Sequence, residues 1–280
     1  MRKLDSAIAL AFLLLWPLRP PPDVMTVDLR PETVQGFNRY VEATESRIAK
    51  ELTRPGAFLY IEGLPDPERS KTLASIRGGK IYIEPLETRD DSGAVIQVPG
   101  GLVHHWLGAV FIPRATLGDV LKLVQNYDRH QDIYKPEVVR SRLVRHEGNE
   151  YQIFYRLREK KIITVTLDTD HDVKYFPMDA THCHSHSAST RIAEVVHAGQ
   201  PDEHEKPVGH DGGFLWRLNS DWRFEENGGG VYVEVESVSL TRSIPSGLGW
   251  LVRPFVTSIP RESLLMTLGA TRSAVEAKLP

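Results

Sequence analysis

Apolar and polar positions alternate over long stretches of the second half of the chain. Within residues 161–175, Val165 and Leu167 fall on one face, and Asp168 and Asp170 fall on the other. Because side chains alternate across a β-strand, this pattern predicts a strand with one core face and one solvent face. The same alternation predicts six successive strands, at about residues 137–146, 150–158, 161–175, 180–196, 213–225 and 230–242.

Helical spacing flanks this run of strands. Thr116 is a plausible N-cap with Asp119 three residues later, and it follows a predicted strand, LVHHWLGAVFIP. Two more helical segments are predicted at 247–256 and 259–277. The last is the only predicted element long enough to cover the apolar face of an antiparallel sheet. The sequence therefore predicts an α+β fold, a curved antiparallel sheet gripping a long C-terminal helix with a cavity between them.

The first part of the chain, residues 25–98, has a mixed pattern. It predicts a helix over 33–52, a short strand over AFLYIEGL, a helix from Pro67 to about Ile76 and a strand over KIYIEPL. This segment contains no catalytic motif, and a segment of its size buries too little surface for a core of its own. We expect a small α/β segment that packs against the larger domain of residues 99–280.

The N-terminus has the pattern of an export segment. The basic start MRK precedes AIALAFLLLWPL, an apolar run of signal-peptide length that is short for a membrane span. No small-x-small cleavage site follows. Residues 1–22 are therefore interpreted as a signal peptide or an anchor. The mature protein is expected to be exported, either periplasmic or secreted; if residues 1–22 are an anchor, the protein is tethered to a membrane.

Charge and cysteine content exclude several classes of function. The net charge is −3, and the Lys and Arg residues are scattered rather than striped, which argues against a nucleic-acid partner. Cys183 is the single cysteine, so no internal disulfide forms and cysteine-based metal sites are disfavoured. No cofactor is predicted. The sequence leaves the oligomeric state open.

The stretch THCHSHSAST places histidines at three alternate positions, His182, His184 and His186. On a strand, residues two apart lie about 6.6 Å apart and residues four apart about 13 Å, so one ion could bridge two of these imidazoles but not three. Pairing with the preceding strand would place them near Asp170 and Asp172. We predict a solvent-side ladder of His and Asp side chains, and no metal site.

Several phrases of the second half resemble bacterial members of the START-like, helix-grip superfamily, which includes lipid-transfer START domains and polyketide cyclases. They are GLVHHWLGAVFIP, YDRHQDIYKPEVVRSRLV, STRIAEV, GFLWRLNSDWRFEE, VYVEVESVSLTRSIP and IPRESLLMTLGATR. The resemblance covers about residues 100–277 and rests on element order rather than on a catalytic motif. It implies a hydrophobic ligand cavity and does not name the ligand.

The face opposite the three histidines supplies the candidate ligand-binding residues. Strict alternation puts small side chains there together with Arg191, which would need an anionic headgroup or a carboxylate such as Glu234 or Glu236. The inward positions of the neighbouring strands and of the last helix complete the set. The predicted ligand-binding residues are His171, Tyr175, Ser187, Ser189, Arg191, Trp216, Trp222 and Leu268.

Three functions fit this pattern. The first is binding, or transport, of a hydrophobic small molecule such as a lipid or a polycyclic aromatic. The second is a polyketide-cyclase-like enzyme with His171, Tyr175 and Arg191 as acid and base groups, although no fixed catalytic motif supports it. The third is protein interaction through exposed apolar surface on helix 33–52. The polar connection 197–212 is predicted to form the cavity entrance.

Overall fold

The computed structural model describes residues 26–161, 163–244, 247 and 258–279. The predicted export segment, residues 1–22, and all of the predicted helix 247–256 except Gly247 lie outside the described residues.

Most predicted strands and helices are present close to their predicted bounds. The strands are β1 Val27–Asp28, β2 Tyr82–Pro85, β3 Gly101–Pro113, β4 Val138–Glu147, β5 Glu150–Lys160, β6 Thr164–Pro177, β7 His182–Val196, β8 His204–Glu205, β9 His210–Asp211, β10 Arg217–Glu226 and β11 Gly230–Arg242. The helices are α1 Pro31–Leu52, α2 Glu68–Arg77, α3 Leu117–Val124, α4 His130–Ile133 and α5 Ile259–Glu276.

One curved antiparallel sheet organises the molecule. Its strands follow the order β2-β3-β11-β10-β7-β6-β5-β4, and β8 pairs with β7. Helix α5 packs on one side of this sheet, where Leu268 contacts the backbone of β3 at Gly108. We call this side the concave face and the other side the convex face. The α+β arrangement predicted from the sequence, a sheet that grips the C-terminal helix, is confirmed.

The convex face is covered by the N-terminal segment. Phe37 and Tyr40 of α1 pack with Val238 and Leu240 of β11 in a buried cluster, and β2 adds an edge strand to β3. The segment therefore shares a core with the sheet. The apolar face of α1, which the third hypothesis expected to be exposed, is buried against the sheet at Phe37, Tyr40 and Ile48.

The strand predicted over AFLYIEGL is wrong. The chain there forms a 3₁₀ turn, Tyr60–Gly63, on the convex face. The Glu234 carboxylate accepts hydrogen bonds from the backbone N–H groups of Tyr60 (2.7 Å) and Ile61 (3.1 Å). Since β2 already pairs with β3, the backbone of this turn is satisfied by a side chain rather than by a neighbouring strand.

A β-bulge interrupts the pairing of β6 with β7. Asp170 pairs with Arg191, whereas the next residue, His171, pairs with Ser189. Thr190 is the extra residue, and its hydroxyl donates to the backbone carbonyl of Asp170 at 3.2 Å. An extra residue reverses the alternation of side chains beyond it. The inward residues of β7 are therefore odd-numbered before the bulge and even-numbered after it.

Candidate ligand-binding cavity

A cavity of about 280 Å³ lies between the concave face of the sheet and α5. Apolar and aromatic side chains form most of its wall. Its polar groups are mainly hydroxyls and imidazoles. The side chains that line it include Tyr127, His130, Tyr134, Glu137, Tyr155, Leu157, Glu159, Val165, Leu167, His171, Val173, Tyr175, Ser185, Ser187, Leu218, Ser220, Trp222, Val235, Ser237, Ser239, Ser263, Leu264 and Thr267.

Four of the residues predicted from the sequence line this cavity: His171, Tyr175, Ser187 and Trp222. Their placement follows from strand register. Val173 pairs with Ser187 and Tyr175 pairs with Ser185, so the inward faces of β6 and β7 coincide up to the bulge. Directly opposite residues project from the same face of a sheet, and here that face is the concave one.

Arg191 is on the other face, and its predicted inward orientation is wrong. The extra residue Thr190 turns Arg191 outward, beside Asp170. Its guanidinium lies 3.5 Å from the Asp170 carboxylate and also pairs with Glu205. Neither Glu234 nor Glu236, the carboxylates expected as partners, takes part. Arg191 thus supplies no positive charge to the cavity.

Three more predicted residues lie outside the cavity wall. Trp216 precedes β10, where it packs with Phe37 and donates its indole N–H to Asp211 (3.0 Å). The Ser189 hydroxyl accepts a hydrogen bond from the backbone N–H of Leu218 (2.9 Å), which replaces a ladder bond beside the bulge. Leu268, on α5, is fully buried in the core between this helix and the sheet. These three positions are structural.

The sequence reasoning missed the aromatic cluster that closes one side of the cavity. It comes from the connection between α3 and β4 and from β5. The hydroxyls of Tyr127 and Tyr175 are 2.9 Å apart, and the Tyr155 hydroxyl is 2.7 Å from Nδ1 of His130. The aromatic density of YDRHQDIY was visible in the sequence. Its contact with the inward positions of β5 and β6 depends on tertiary packing, which the sequence pattern does not indicate.

Burial sets the charge of the cavity. It lowers the pKa of both His130 and His171 to about 4, since a cation is poorly solvated there. Burial also raises the pKa of Glu159 to about 8, and the neighbouring Glu137 carboxylate adds to this shift. Burial likewise raises the pKa of Glu137, which accepts a hydrogen bond from Ser263 at 2.5 Å. Near neutral pH the two imidazoles and the Glu159 carboxyl are mostly uncharged.

The three alternating histidines lie on the convex face, away from the cavity. Nε2 of His184 is 2.9 Å from the Asp221 carboxylate, and Nδ1 of His186 is 3.2 Å from it. The carboxylate that contacts His184 and His186 is therefore Asp221 of β10; Asp172 lies beside His186 along the next strand without contacting it, and Asp170 lies farther along the same strand. His184 is buried rather than solvated, because the expected solvent side is partly covered.

The connection 197–212 does not form the cavity entrance. It contains β8, which pairs with β7, and β9, which pairs with β1. Of the described residues that line the cavity, none belongs to this connection. Its backbone is held by strand pairing to the first and seventh strands.

Across residues 26–161, 163–244, 247 and 258–279, no three His, Cys, Asp or Glu side chains are grouped so that they could hold a metal ion. Over the same residues, no helix is both long and apolar enough to cross a membrane.

No protein-family model matches this chain, and no curated protein matches it significantly. Solved structures with a similar fold include a STAR-related lipid transfer protein from Xanthomonas axonopodis, at 18% identity over 68% of this chain and 98% of that one, with a TM-score of 0.44. The Zhui aromatase/cyclase from Streptomyces sp. R1128 has 11% identity over 64% and 97%, with a TM-score of 0.44. Human STARD10 has 12% identity over 77% and 83%, with a TM-score of 0.42.

At these identities and TM-scores the comparisons say nothing of ligand or reaction. The helix-grip arrangement rests on this structure itself: the antiparallel strand order, the C-terminal helix on the concave face and the cavity between them.

Proposed function

We propose that this protein binds an uncharged, mainly apolar small molecule in the cavity between the sheet and α5. One observation carries the proposal: a cavity of about 280 Å³ whose wall is mostly apolar and aromatic. Ligand pockets are typically concave and apolar, with a few polar groups that fix orientation. Known pockets start at about 300 Å³, so the ligand is small or fills the space tightly.

The charge of the wall supports an uncharged ligand. Burial holds His130 and His171 neutral, and the one arginine predicted to face the cavity points outward. An anionic headgroup would therefore meet no arginine on the described wall, and burying an unpaired charge is costly. This separates the proposal from a fatty acid or phospholipid anchored by its headgroup inside the cavity.

Native mass spectrometry of the purified full chain, followed by solvent extraction, tests the proposal. We expect a stoichiometric apolar molecule to be released. The variant Ser220→Phe places a large side chain in the middle of the cavity and should abolish retention of the molecule. The matched control, Gln152→Phe, introduces the same side chain at an exposed convex position and should retain it.

Equal retention by both variants would contradict binding in this cavity. A urea unfolding curve of Ser220→Phe distinguishes loss of the ligand from loss of the fold. If the variant is folded and has lost the molecule, the cavity is its site.

A cyclase-like activity, the second function predicted from the sequence, has less support. Nε2 of His171 is engaged with Thr169 of the same strand at 3.0 Å, and the Tyr175 hydroxyl is engaged with Tyr127. The third group expected, Arg191, lies on the opposite face of the sheet. The three groups assigned as acid and base therefore do not converge on one point.

We also propose, from the sequence, that residues 1–22 direct export and that the mature protein acts outside the cytoplasm. Fractionation of cells that produce the full chain tests this. Recovery of all of the protein in the cytoplasmic fraction, with its first residues intact, would contradict it.

A further inference from the structure

A row of serines crosses the floor of the cavity. Ser187 of β7 pairs directly with Ser220 of β10, and Ser220 pairs directly with Ser237 of β11. All three line the cavity. Neighbouring strands are about 4.8 Å apart, so the row presents three hydroxyls over about 10 Å. We call these three residues the serine row.

The hydroxyls of the serine row have no hydrogen-bond partner in the described part of the chain, residues 26–161, 163–244, 247 and 258–279. Two more serines flank the row and share this property. Ser185 and Ser239 also line the cavity, are only 3% and 4% exposed, and make no side-chain hydrogen bond to a described residue. Ser187, Ser220 and Ser237 are half-buried and line the cavity, so a ligand that displaces water from their hydroxyls must supply acceptors or donors in its place.

Most of the remaining wall is hydrocarbon or aromatic. Beyond Ser187, the next residue in the same row is Val173 of β6. The inward positions of β5 and β6 continue with Leu157, Val165 and Leu167, and α5 adds Leu264. Aliphatic hydroxyls of β7, β10 and β11 therefore face a wall in which hydrocarbon predominates, although β5 and β6 also contribute aromatic hydroxyls, an imidazole and the Glu159 carboxyl.

We infer that the ligand is amphipathic along its length: a mainly hydrocarbon molecule with two or more oxygen or nitrogen atoms along one edge, which the serine row recognises. This rests on the proposed function and adds the class of ligand to it. A site built to bind polar atoms discriminates strongly against an analogue that lacks them. The serine row would thus select by the position of polar atoms, and the hydrocarbon wall by shape.

Three small aromatic compounds test the inference. The first is naphthalene. The second is 2,7-dihydroxynaphthalene, whose hydroxyls lie on one long edge. The third is its isomer 2,6-dihydroxynaphthalene, whose hydroxyls lie on opposite edges. We expect the full-length protein, in equilibrium dialysis, to bind the 2,7-isomer about ten-fold more tightly than naphthalene and about five-fold more tightly than the 2,6-isomer.

Variants assign the preference to the serine row. Ser220→Ala removes the central hydroxyl and should bring the ratio between the two isomers close to one. Ser220→Thr keeps a hydroxyl and should preserve the ratio. Thr267→Val removes a hydroxyl from the α5 side of the cavity, away from the serine row, and should also preserve it.

The possible outcomes distinguish failure of this inference from failure of the proposed function, binding of a small molecule in the cavity. If all three compounds bind with equal affinity, the cavity takes apolar ligands and the serine row does not recognise an edge. An isomer preference that survives in Ser220→Ala would overturn the role of the row as well. If the folded wild type binds none of the three and releases no molecule on extraction, both the inference and the proposed function are wrong.

Discussion

Polar side chains on the two faces of the sheet differ in whether another part of the chain supplies their partners. On the convex face of β10 and β11, Arg223, Glu234 and Glu236 are buried and each has a charged or hydrogen-bonding partner, although Oε2 of Glu236 has none among the described residues. On the concave face of the same strands, one residue away, the serine row has no partner in the described residues. The strands are the same, so the difference lies in what covers each face.

The N-terminal segment supplies the partners on the convex face. Glu51 of α1 accepts from Arg223 at 2.7 Å, and Arg47 of α1 pairs with Glu236. Glu236 also lies 2.7 Å from Nε2 of His105. Each of these contacts joins residues far apart in sequence. The polar groups of the convex face are therefore satisfied by other parts of the chain, whereas those of the serine row are the groups that we propose a ligand satisfies.

The largest expected effect comes from removing the central cation of the convex face. Arg223→Met removes the guanidinium that lies beside buried Glu234 and one of the two that pair with Glu51, which keeps Arg47, and should lower the free energy of unfolding by about 3 kcal/mol. Urea unfolding at pH 8 measures this. Arg145→Met, which breaks an exposed pair with Glu147, is the control and should cost less than about 1 kcal/mol. Equal losses in the two variants would contradict the contrast between the faces.

The second-largest expected effect is the dependence of the free energy of unfolding on pH. Burial raises the pKa of Glu234 to about 7, above its ordinary value of 4.5, because the carboxylate loses its hydration. The folded state then holds this proton more tightly than the unfolded state. The stabilisation from Glu234 is complete below about pH 4.5 and is lost as the pH rises to about 7.

Glu234→Gln isolates this contribution. The stability of the wild type relative to the variant should fall between about pH 4.5 and 7, by up to about 3 kcal/mol. Unfolding curves at matched ionic strength across this range measure it. A difference that is constant with pH, or one that grows as the pH rises, would show that Glu234 does not titrate in this way.

Two tryptophans that the sequence assigned to one site should respond differently. Trp222 lines the cavity, so Trp222→Leu should weaken binding of 2,7-dihydroxynaphthalene about five-fold by removing an aromatic wall. Trp216 packs with α1, so Trp216→Leu should lower stability and change the affinity less than two-fold. Dialysis and urea unfolding of both variants separate the effects. Similar losses of affinity in the two would contradict their placement on opposite faces.

The smallest effect is expected at Arg191. Its side chain is about one-third exposed and pairs with Asp170 and Glu205 on the outer face. Arg191→Ala should lower stability by less than about 1 kcal/mol and leave the affinity for uncharged ligands unchanged. A marked loss of affinity, measured by the same dialysis, would mean that the guanidinium reaches the ligand after all.

The sequence was sufficient for the strands, their faces up to the bulge and the C-terminal helix. These depend on local alternation and helical spacing, so His171, Tyr175, Ser187 and Trp222 were placed correctly on the cavity wall. The sequence was insufficient where a single extra residue or a distant segment determines the orientation or the burial of a side chain. The bulge at Thr190 displaced Arg191, and the N-terminal segment converted an expected solvent face into a buried one.

The serine row itself follows from pairing between strands that are not all neighbours in sequence. Ser187 is far from Ser237 along the chain. Taken by itself, the sequence pattern around each one predicts only a small residue on the inward face of its strand. Only the register of β7, β10 and β11 aligns them with Ser220. Sequence alternation gives the face of each residue but not the row in which it lies.

The single extra residue in β7 also makes the charge of the cavity a matter of strand register. If Thr190 were deleted and the pairing on both sides of it were kept, Arg191 would follow Ser189 directly and would still face outward, opposite Asp170. A slip of the pairing by one residue beyond the bulge, which pairs Thr190 with Asp170, would instead turn Arg191 toward the interior and Ile192 away from it. The neutral interior therefore depends on which residues pair and tolerates the loss of this one codon.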